Sequence, residues 1–467
     1  MGRGTRTGLA GLAALAMVTV MPGAVGVAAA EDVPTYKPAS GATKINGTVV
    51  ATDAPQLEKG LHTDSIDRGE EKYYAVDLDA RSSAYFSVVS APTPGTKVEE
   101  YRDKLSIRVQ KSDGTTCGSD TSQYFHAGGT AYPIAAYTSR DIGKQETQCQ
   151  DPGPYYVVVT REGSPTSGTD QWPIELGYLN EPALKGGTPA QPGETSTTPP
   201  KLRTDLAKRR AGGTGFNDAA SVNTGVWKDR IRPGETRFYQ VPVDWGQRLN
   251  LSAELPNASS SKPGSYLSDA LGLHVFNPAR GVVVDDNFSS YNGEGAEATE
   301  FTAPVAYGNR LNASEKVRAM RFAGWYYLEV TLNSKAAQFF SKGTDFTLRV
   351  DVRGAKHAGP AYSEAAPDFT VTNEDREMAR TGRTPEEMEE SGTLRIVAYA
   401  GIGTGVVLLT GLGAWTLVAR RRAAGAPGAP GTPGPAGALP QQAHQPPHPQ
   451  QTQQGDQTLQ SGPPQGR

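Results

Sequence analysis

The chain has 467 residues, 46 of them Lys or Arg and 49 Asp or Glu, which gives a formal net charge of −3. A charge this close to zero gives no reason to expect nucleic acid as a partner. The two cysteines match the spacing of no zinc motif, and no His lies close to either one in sequence.

Residues 1–30 have the order of a secretory signal peptide. Arg3 and Arg6 give a positive start, an apolar run extends from Gly8 to Val20, and small residues end at Ala30. The apolar run is too short to cross a bilayer core of roughly 30 Å comfortably. We therefore predict cleavage after Ala30, and an N-terminal membrane anchor is the alternative.

The exported region repeats itself. The run from Leu57, L-E-K-G-L-H-T-D-S-I-D-R-G-E-E-K-Y-Y-A-V-D-L-D, aligns without a gap with the run from Val222, V-N-T-G-V-W-K-D-R-I-R-P-G-E-T-R-F-Y-Q-V-P-V-D. Three later blocks recur in the same order: 105–109 with 271–275, 153–159 with 324–330, and Trp172, Ile174 and Leu176 with Phe346, Leu348 and Val350. We predict two copies of one domain, residues 45–182 and 216–354, joined by a linker at 183–215.

Every recurring block has the character of a β-strand. Period-two alternation places Ile107 and Val109 on one face and Arg108 on the other. Gly, Pro, Asn and Asp fill the gaps between blocks, and no long stretch has a helical period. The exported region is therefore predicted to be mainly β, with two tandem antiparallel β-sandwich domains.

Two acidic pairs also recur between the copies. Asp64 aligns with Asp229, and Glu70 aligns with Glu235 next to a glycine turn. We predict that these carboxylates are structural and that they cap turns near a tight glycine.

These blocks resemble a known bacterial domain. Ile-x-x-Gly-Glu-x-x-Tyr-Tyr-x-Val, a later Leu-x-Val strand with a turn, Gly-x-Tyr-Tyr-x-x-Val and a last alternating strand are similar to the pre-peptidase C-terminal (PPC) domain. The resemblance covers both copies. It implies a small jelly-roll-like β-sandwich that serves as an accessory or binding module and not as a catalyst. The whole chain also resembles actinobacterial single-pass surface proteins of unknown role.

Two further segments separate these domains from each other and from the end of the chain. Residues 183–215 are rich in Pro, Gly, Thr and Lys or Arg, which predicts an extended, mobile spacer. Residues 355–395 are polar and strongly charged, with acidic runs at 374–377 and 386–390. This pattern predicts a solvated stalk, and a partner-binding helix is the alternative.

Residues 396–419 carry no charge and are bounded by basic residues, which predicts one transmembrane helix. A buried helix of a soluble domain would need a polar face, and this run has none. The stop-transfer group Arg420, Arg421 and Arg422 marks the cytoplasmic side. We predict a single-pass protein of the plasma membrane with its N-terminal body outside the cell.

The membrane segment and the tail carry two further predictions. Gly401 and Gly405 form a Gly-x-x-x-Gly pattern, which allows a homodimer through close helix contact. Residues 420–467 are dominated by Pro, Gly and Gln, which predicts a disordered cytoplasmic tail.

The two cysteines, Cys117 and Cys149, both fall in the exported region, where disulfides persist. A bridge between them would close a loop of about thirty residues, worth roughly 3–4 kcal/mol in the chain-entropy model. We predict this disulfide, and two free thiols are the alternative.

The exported body offers little for catalysis or for metal binding. It contains no Gly-x-Ser-x-Gly, no His-Glu-x-x-His and no Gly-rich phosphate loop before a helix. No cofactor is predicted. Asp285, Asp286 and Asn287 are weak calcium candidates because clustered carboxylate and amide oxygens suit that ion, but the loop lacks a known calcium spacing.

Several tyrosines form a separate group around the cysteines of the first copy. Such tyrosines suit a binding surface as well as a sandwich core or rim. They are Tyr101, Tyr124, Tyr132 and Tyr137.

Together these patterns predict a non-catalytic cell-surface binding or scaffold protein that presents two β-sandwich modules. The expected partner is another exported protein or a cell-wall polymer. The alternatives are a component of a membrane protein assembly and an exported hydrolase with an unrecognised site.

Overall fold

The computed structural model describes residues 33–143, 148–186, 201–260, 264–285 and 287–382. The predicted signal peptide, the membrane segment 396–419 with Gly401 and Gly405, the stop-transfer arginines 420–422, the tail and Asp286 lie outside these ranges. Within them, no helix is long and apolar enough to cross a membrane.

Strands dominate both halves of the described chain. In residues 33–186, which we call module 1, the strands are Thr43–Lys44 (β1), Gly60–Ile66 (β2), Glu71–Leu78 (β3), Ser83–Ser90 (β4), Lys104–Lys111 (β5), Thr116–Tyr124 (β6), Ile134–Arg140 (β7), Gly153–Glu162 (β8) and Trp172–Glu181 (β9).

Residues 201–382 form module 2. Its strands are Lys208–Arg209 (β10), Ala220–Ser221 (β11), Gly225–Ile231 (β12), Thr236–Val243 (β13), Arg248–Leu255 (β14), Leu267–Phe276 (β15), Val282–Val284 (β16), Phe288–Tyr291 (β17), Ala296–Phe301 (β18), Gly324–Leu332 (β19) and Thr344–Arg353 (β20).

Helices are short in both modules. The α-helices are Glu315–Ala319 (α1) and Asn373–Thr381 (α2). The 3-10 turns are Ala51–Asp53, Ala127–Gly129, Tyr307–Leu311, Ser334–Gln338 and Pro367–Phe369.

Each module consists of two sheets with a shared core. In module 1 the sheets have the orders β1-β2-β9-β4-β7 and β3-β8-β5-β6, and Phe86 and Leu176 of the first belong to one core with Ile107 and Val157 of the second. In module 2 the orders are β10-β12-β20-β14-β18 and β11-β13-β19-β15-β16, with β17 paired to β15. The prediction of a mainly β chain with sandwich-like sheets is confirmed.

An aspartate at the same place in each module joins three parts of the fold. The Asp64 carboxylate accepts hydrogen bonds at 2.8 Å from the Gly47 N–H and at 2.8 Å from the Tyr74 hydroxyl. The glycine lies against the ring of Tyr74, where a Cβ would be 2.6 Å from a ring carbon. Module 2 repeats both hydrogen bonds with Gly212, Asp229 and Tyr239.

The Gly-Glu turns also serve the same structural purpose in both modules. Gly69 and Gly234 each have a φ of 81°, a backbone conformation that favours glycine. The side chains of Glu70 and Glu235 each accept a hydrogen bond at 2.7 Å from the main-chain N–H three residues earlier. All four carboxylates are structural, as predicted, but only Glu70 and Glu235 cap a turn, whereas Asp64 and Asp229 lie inside strands β2 and β12.

The last strand of the repeat aligns differently from the sequence prediction. Asp64 is opposite Ile174 in one module and Asp229 is opposite Phe346 in the other, so Ile174 and Phe346 are equivalent. The sequence alignment had matched Trp172 with Phe346. Because side chains alternate with a period of two, the shift leaves every residue on its predicted face.

The second repeat begins earlier than predicted. Strand β10 pairs in parallel with β12 as β1 pairs with β2, and both lie within the ranges described. Residues 201–215 of the predicted linker therefore lie along module 2 and are not a mobile spacer. The pairing satisfies backbone groups at the edge of β12, which would otherwise lie open.

The described part of the predicted stalk, residues 355–382, packs onto the strands of module 2. Phe369 and Met378 are buried, and the Trp325 Nε1–H donates to Asp375 at 3.0 Å. Arg376 forms an ion pair with Asp244 at 2.6 Å. The prediction of a solvated stalk is therefore wrong for this stretch, because these apolar residues are buried and these charged residues are paired.

Candidate functional site

The two modules contact each other directly along a surface that we call the seam. Strand β4 is buried along its whole length, with Phe86 in the core of module 1 and Tyr85 and Val89 on the opposite face. The seam contains two apolar clusters with members from both modules: Val89 and Ala135 with Phe216, Phe238 and Phe276, and Tyr85 with Ala279, Phe322 and Phe369.

Three carboxylate–arginine pairs cross the seam. Each carboxylate comes from module 1 and each guanidinium from module 2, with N–O distances of 2.6, 2.9 and 2.9 Å: Glu175–Arg280, Glu181–Arg310 and Asp141–Arg321. Opposite charges attract strongly where water is excluded. This one-sided arrangement fixes which faces meet, because a like-charged alternative would bury unpaired charge.

Glu175 has the most complete set of partners in the seam. Its side chain is 1% exposed and accepts from the Tyr36 hydroxyl at 2.6 Å, the Ala39 N–H at 2.8 Å, Asn217 Nδ2 at 3.0 Å and Arg280 Nη1 at 2.6 Å. Burial alone would raise the pKa of Glu175. The Arg280 charge and these hydrogen bonds outweigh burial and lower the pKa below its ordinary value.

The seam is a feature that the sequence interpretation missed, although one signal was present. The run Ser83–Ser90, S-A-Y-F-S-V-V-S, contains no charged residue, and its only polar residues are small serines, unlike a strand with one solvated face. A strand buried on both faces reads as such a run. The modules are therefore not held apart by a spacer.

A cleft of about 290 Å³ opens along the seam. Its walls come from β6 and β7 of module 1 and from β16 and α1 of module 2. The lining residues are Thr121, Gln123, Tyr137, Thr138, Ser139, Asn277, Gly281, Val282, Val283, Asp285, Glu315, Lys316, Arg318, Ala319 and Arg321. Neither module alone would form this surface.

The cleft wall contains a buried polar atom that is unsatisfied within the protein. The hydroxyl oxygen of Tyr137 is buried and has no hydrogen-bond partner among the described residues. A buried polar group without a partner is destabilising, so such a group is a candidate contact for a ligand or a bound water. Asp285 adds an exposed carboxylate to the same cleft.

A smaller cavity of about 20 Å³ adjoins the cleft and shares Gln123, Val282 and Asp285 with it. His274 lines this cavity, with its Nδ1 3.1 Å from a Glu329 carboxylate oxygen. Its Nε2 is buried and has no hydrogen-bond partner within the described part of the chain. The pair orients an imidazole toward the cavity, but no described hydroxyl or thiol contacts that nitrogen as a nucleophile would.

The predicted site residues have different outcomes. Cys117 and Cys149 are joined, with their Cα atoms 5.7 Å apart, so the predicted disulfide is confirmed. Asp285 lies in the cleft, whereas the Asn287 amide donates to the Thr299 carbonyl at 3.0 Å. No group of three or more His, Cys, Asp or Glu in the described ranges could hold a metal ion.

The four tyrosines near the cysteines of module 1 lie in different environments, so the two alternatives, a binding surface and a sandwich core or rim, each fit some of them. Tyr132 is only 3% exposed and lies 5.9 Å, centroid to centroid, from the His274 ring. Tyr137 is half-buried in the cleft wall, Tyr124 lines the smaller cavity, and Tyr101 is 59% exposed. Most of the group belongs to the seam and its cavities.

No family model matches the chain, and no curated protein matches it. The tandem CBM51 modules of a family 98 glycoside hydrolase from Streptococcus pneumoniae are 10% identical, over 63% of this chain and 83% of that chain, at a TM-score of 0.18. The ANX1 ectodomain from Arabidopsis thaliana is 10% identical, over 68% and 97%, at 0.17. The CUB1-EGF-CUB2 region of human MASP-1/3 is 8% identical, over 63% and 100%, at 0.15. Likenesses at these TM-scores carry no functional argument.

Proposed function

We propose that the chain is a non-catalytic surface protein that binds another exported protein or a cell-wall polymer in the seam cleft. A single helix at 396–419 anchors it in the plasma membrane, and its two modules are jelly-roll-like, PPC-type sandwiches. The observation that carries the proposal is the cleft itself, because both modules line it and buried ion pairs hold them together.

The proposal is tested by blocking the cleft in the full chain. Ala319 lies half-buried in the cleft wall, so Ala319→Trp fills the space, whereas Ala80 is exposed outside the cleft lining and makes Ala80→Trp a matched control. The detergent-solubilised chain is used to capture partners from the exported protein fraction and from purified cell wall. Ala319→Trp should lose the captured partner and Ala80→Trp should keep it; equal capture by both contradicts the cleft proposal.

A second candidate function is hydrolysis, favoured only by the His274–Glu329 pair beside the smaller cavity that adjoins the cleft. The variant His274→Gln distinguishes the two candidate functions, because glutamine is polar and similar in size to histidine but cannot act as a base. The binding proposal expects capture to persist and no turnover of the captured polymer by either protein. Turnover by the unaltered chain that His274→Gln abolishes would establish the hydrolase instead.

The proposed export and membrane anchorage of the chain are tested separately. N-terminal sequencing of the mature chain should begin at Glu31, and protease added to intact cells should digest the modules but spare the tail epitope. A chain that keeps residues 1–30, or modules that resist external protease, would refute this part of the proposal.

A further inference from the structure

Module 2 has a basic edge, which we define as Leu206, Lys208, Arg209, Lys228 and Arg230. All five residues are exposed, and Leu206 is 93% exposed. Strand β10 is the outermost strand of its sheet, and Arg209 is opposite Lys228 in the pairing of β10 with β12. The cations therefore concentrate along one side of the module.

Within the described ranges Lys228 and Arg230 have no carboxylate partner, and the carboxylate near Lys208, that of Asp205, also pairs with Arg203. Arg209 pairs with Asp345 at 2.8 Å. Arg230 donates to the main-chain carbonyl of Lys342 at 2.6 Å, and Lys208 lies 6.0 Å from the centre of the Trp227 ring. Neither contact neutralises a charge, and Lys228 has no carboxylate partner in the described chain. The edge as a whole carries an excess of positive charge.

Module 1 provides an internal control for this edge. Its strand β1 pairs with β2 in the same parallel register, so the fold does not require the cations. The equivalent positions in module 1 have a single cation: Gly41, Thr43, Lys44, Thr63 and Ser65. The charge of the basic edge is therefore specific to the second copy.

The segments that follow the two modules differ in the same way. Module 1 is followed by residues 187–200, whose only acidic residue is Glu194. Module 2 is followed by the acidic segment E-E-M-E-E at 386–390. A basic edge thus accompanies an acidic following segment in one copy, and a nearly neutral edge accompanies a nearly neutral segment in the other.

The described chain ends beside the basic edge. Arg210 Nη1 donates to the carbonyl of Thr381, the last residue of α2, at 3.3 Å. From Gly382 to Glu386 the chain spans at most roughly 14 Å when extended. Since Arg210 directly follows β10, that length lets the acidic segment reach Lys208 and Arg209.

We propose that the basic edge of module 2 docks the acidic segment 386–390 of the same chain. Glutamates of this segment pair with Lys208, Lys228 and Arg230, and Met388 has Leu206 as an apolar neighbour. The docked segment becomes part of module 2. Only residues 391–395 then remain as the free connection to the predicted membrane segment.

Carbodiimide coupling of the full chain tests the pairing, because it joins an amine to a carboxylate only at ion-pair distance. Peptide mass spectrometry should find Lys208 or Lys228 joined to the 386–390 segment, whereas Lys44 of module 1 should have no such product. Mixing isotope-labelled with unlabelled chains separates products within one chain from products between chains. No coupling to 386–390, or coupling only between chains, overturns the proposal.

A second measurement keeps the test independent of coupling chemistry. The variant Lys208→Thr with Lys228→Thr and Arg230→Ser gives module 2 the residues of the module 1 edge, which the same fold accommodates. Cleavage by a Glu-specific protease at 386–390 should be roughly tenfold faster in this variant, because several exposed ion pairs are lost together. Molar salt should accelerate cleavage of the unaltered chain similarly, since it screens exposed charges. Equal cleavage rates in the variant and the unaltered chain overturn the proposal. Protection that is lost on adding polyphosphate but not on adding salt also overturns it, because that result would assign the basic edge to a phosphate-bearing ligand.

Discussion

The two modules share one fold but use opposite faces to meet. Module 1 contributes the outer face of β4, β7 and β9, whereas module 2 contributes the outer face of β13, β15 and β19. These sheets are not equivalent in the repeat. The seam is therefore heterologous, and each module keeps, outside the seam, its own copy of the face that the other module uses in the seam.

Equivalent positions show what the seam requires. In module 2 the positions of Tyr85, Val89 and Glu175 are occupied by Asn250, Glu254 and Thr347. In module 1 the positions of Phe238 and Phe276 are occupied by Tyr73 and Gln110. Tyr85, Val89 and Phe276 of the seam thus have the polar counterparts Asn250, Glu254 and Gln110, whereas Phe238 has the aromatic counterpart Tyr73 and the charged Glu175 has Thr347. The polar outer faces also oppose the open-ended stacking that a heterologous contact would otherwise allow.

Breaking one buried ion pair of the seam should have the largest effect on the stability of the protein. Arg280→Met leaves the buried carboxylate of Glu175 without its counter-charge, which should lower the free energy of unfolding by about 3–5 kcal/mol. Denaturant unfolding measures the change. The double variant with Glu175→Gln should recover most of the loss, and a double variant as unstable as the single one would contradict the charge argument.

Removing the disulfide should affect one module more than the other. The bond joins Cys117 to Cys149 in module 1, and no free cysteine occurs in the described chain. Replacing both cysteines by Ala should lower stability by about 2–4 kcal/mol, because the unfolded chain regains freedom. Hydrogen exchange should rise in β6 and β7 before it rises in module 2. A uniform rise across both modules would mean that they unfold only as one unit.

How much of the fold and of the seam can be predicted from the sequence depends on whether a feature leaves a recognisable sequence pattern or joins residues far apart in the chain. Period-two alternation identifies the strands, recurring blocks identify the duplication, and the glycine turn beside Glu70 identifies its capping role, because each of these patterns is read directly from the sequence. The disulfide is expected because the sequence predicts export of the region that holds both cysteines, and the structure contains the bond. The pairing of Glu175 with Arg280 joins residues far apart in sequence, and nothing near either residue marks the other as its partner. The start of the second repeat is hidden because β1 and β10 share a backbone pairing but no residue identity.

Acid should weaken the seam selectively. The pKa of Glu175 is lowered because Arg280 and its hydrogen bonds outweigh burial, and the pKa of Asp141 is lowered because Arg321 outweighs burial in the same way. A carboxylate with a depressed folded-state pKa contributes stability above its unfolded-state pKa, which is about 4. That contribution is lost as the pH falls through the folded-state pKa.

Stability measured between pH 7 and pH 3 should therefore fall more steeply in the unaltered chain than in Arg280→Met. The dependence should change little with salt, since the Glu175 pair is shielded from ions. Parallel pH profiles for the two proteins would show that other carboxylates control the acid response.

The smallest effect is expected on the outer face of module 2, where the same kind of ion pair is partly exposed to solvent. Arg349 binds Glu254 on the outer sheet of module 2, and both side chains are partly exposed. Because solvent screens such a pair and its side chains lose entropy on pairing, Arg349→Met should change stability by at most about 1 kcal/mol. Denaturant unfolding beside Arg280→Met gives the matched contrast between an open and a covered face. A loss as large as that of Arg280→Met would mean that the outer face of module 2 is not simply solvated, and that the difference between the two faces arises from something other than burial.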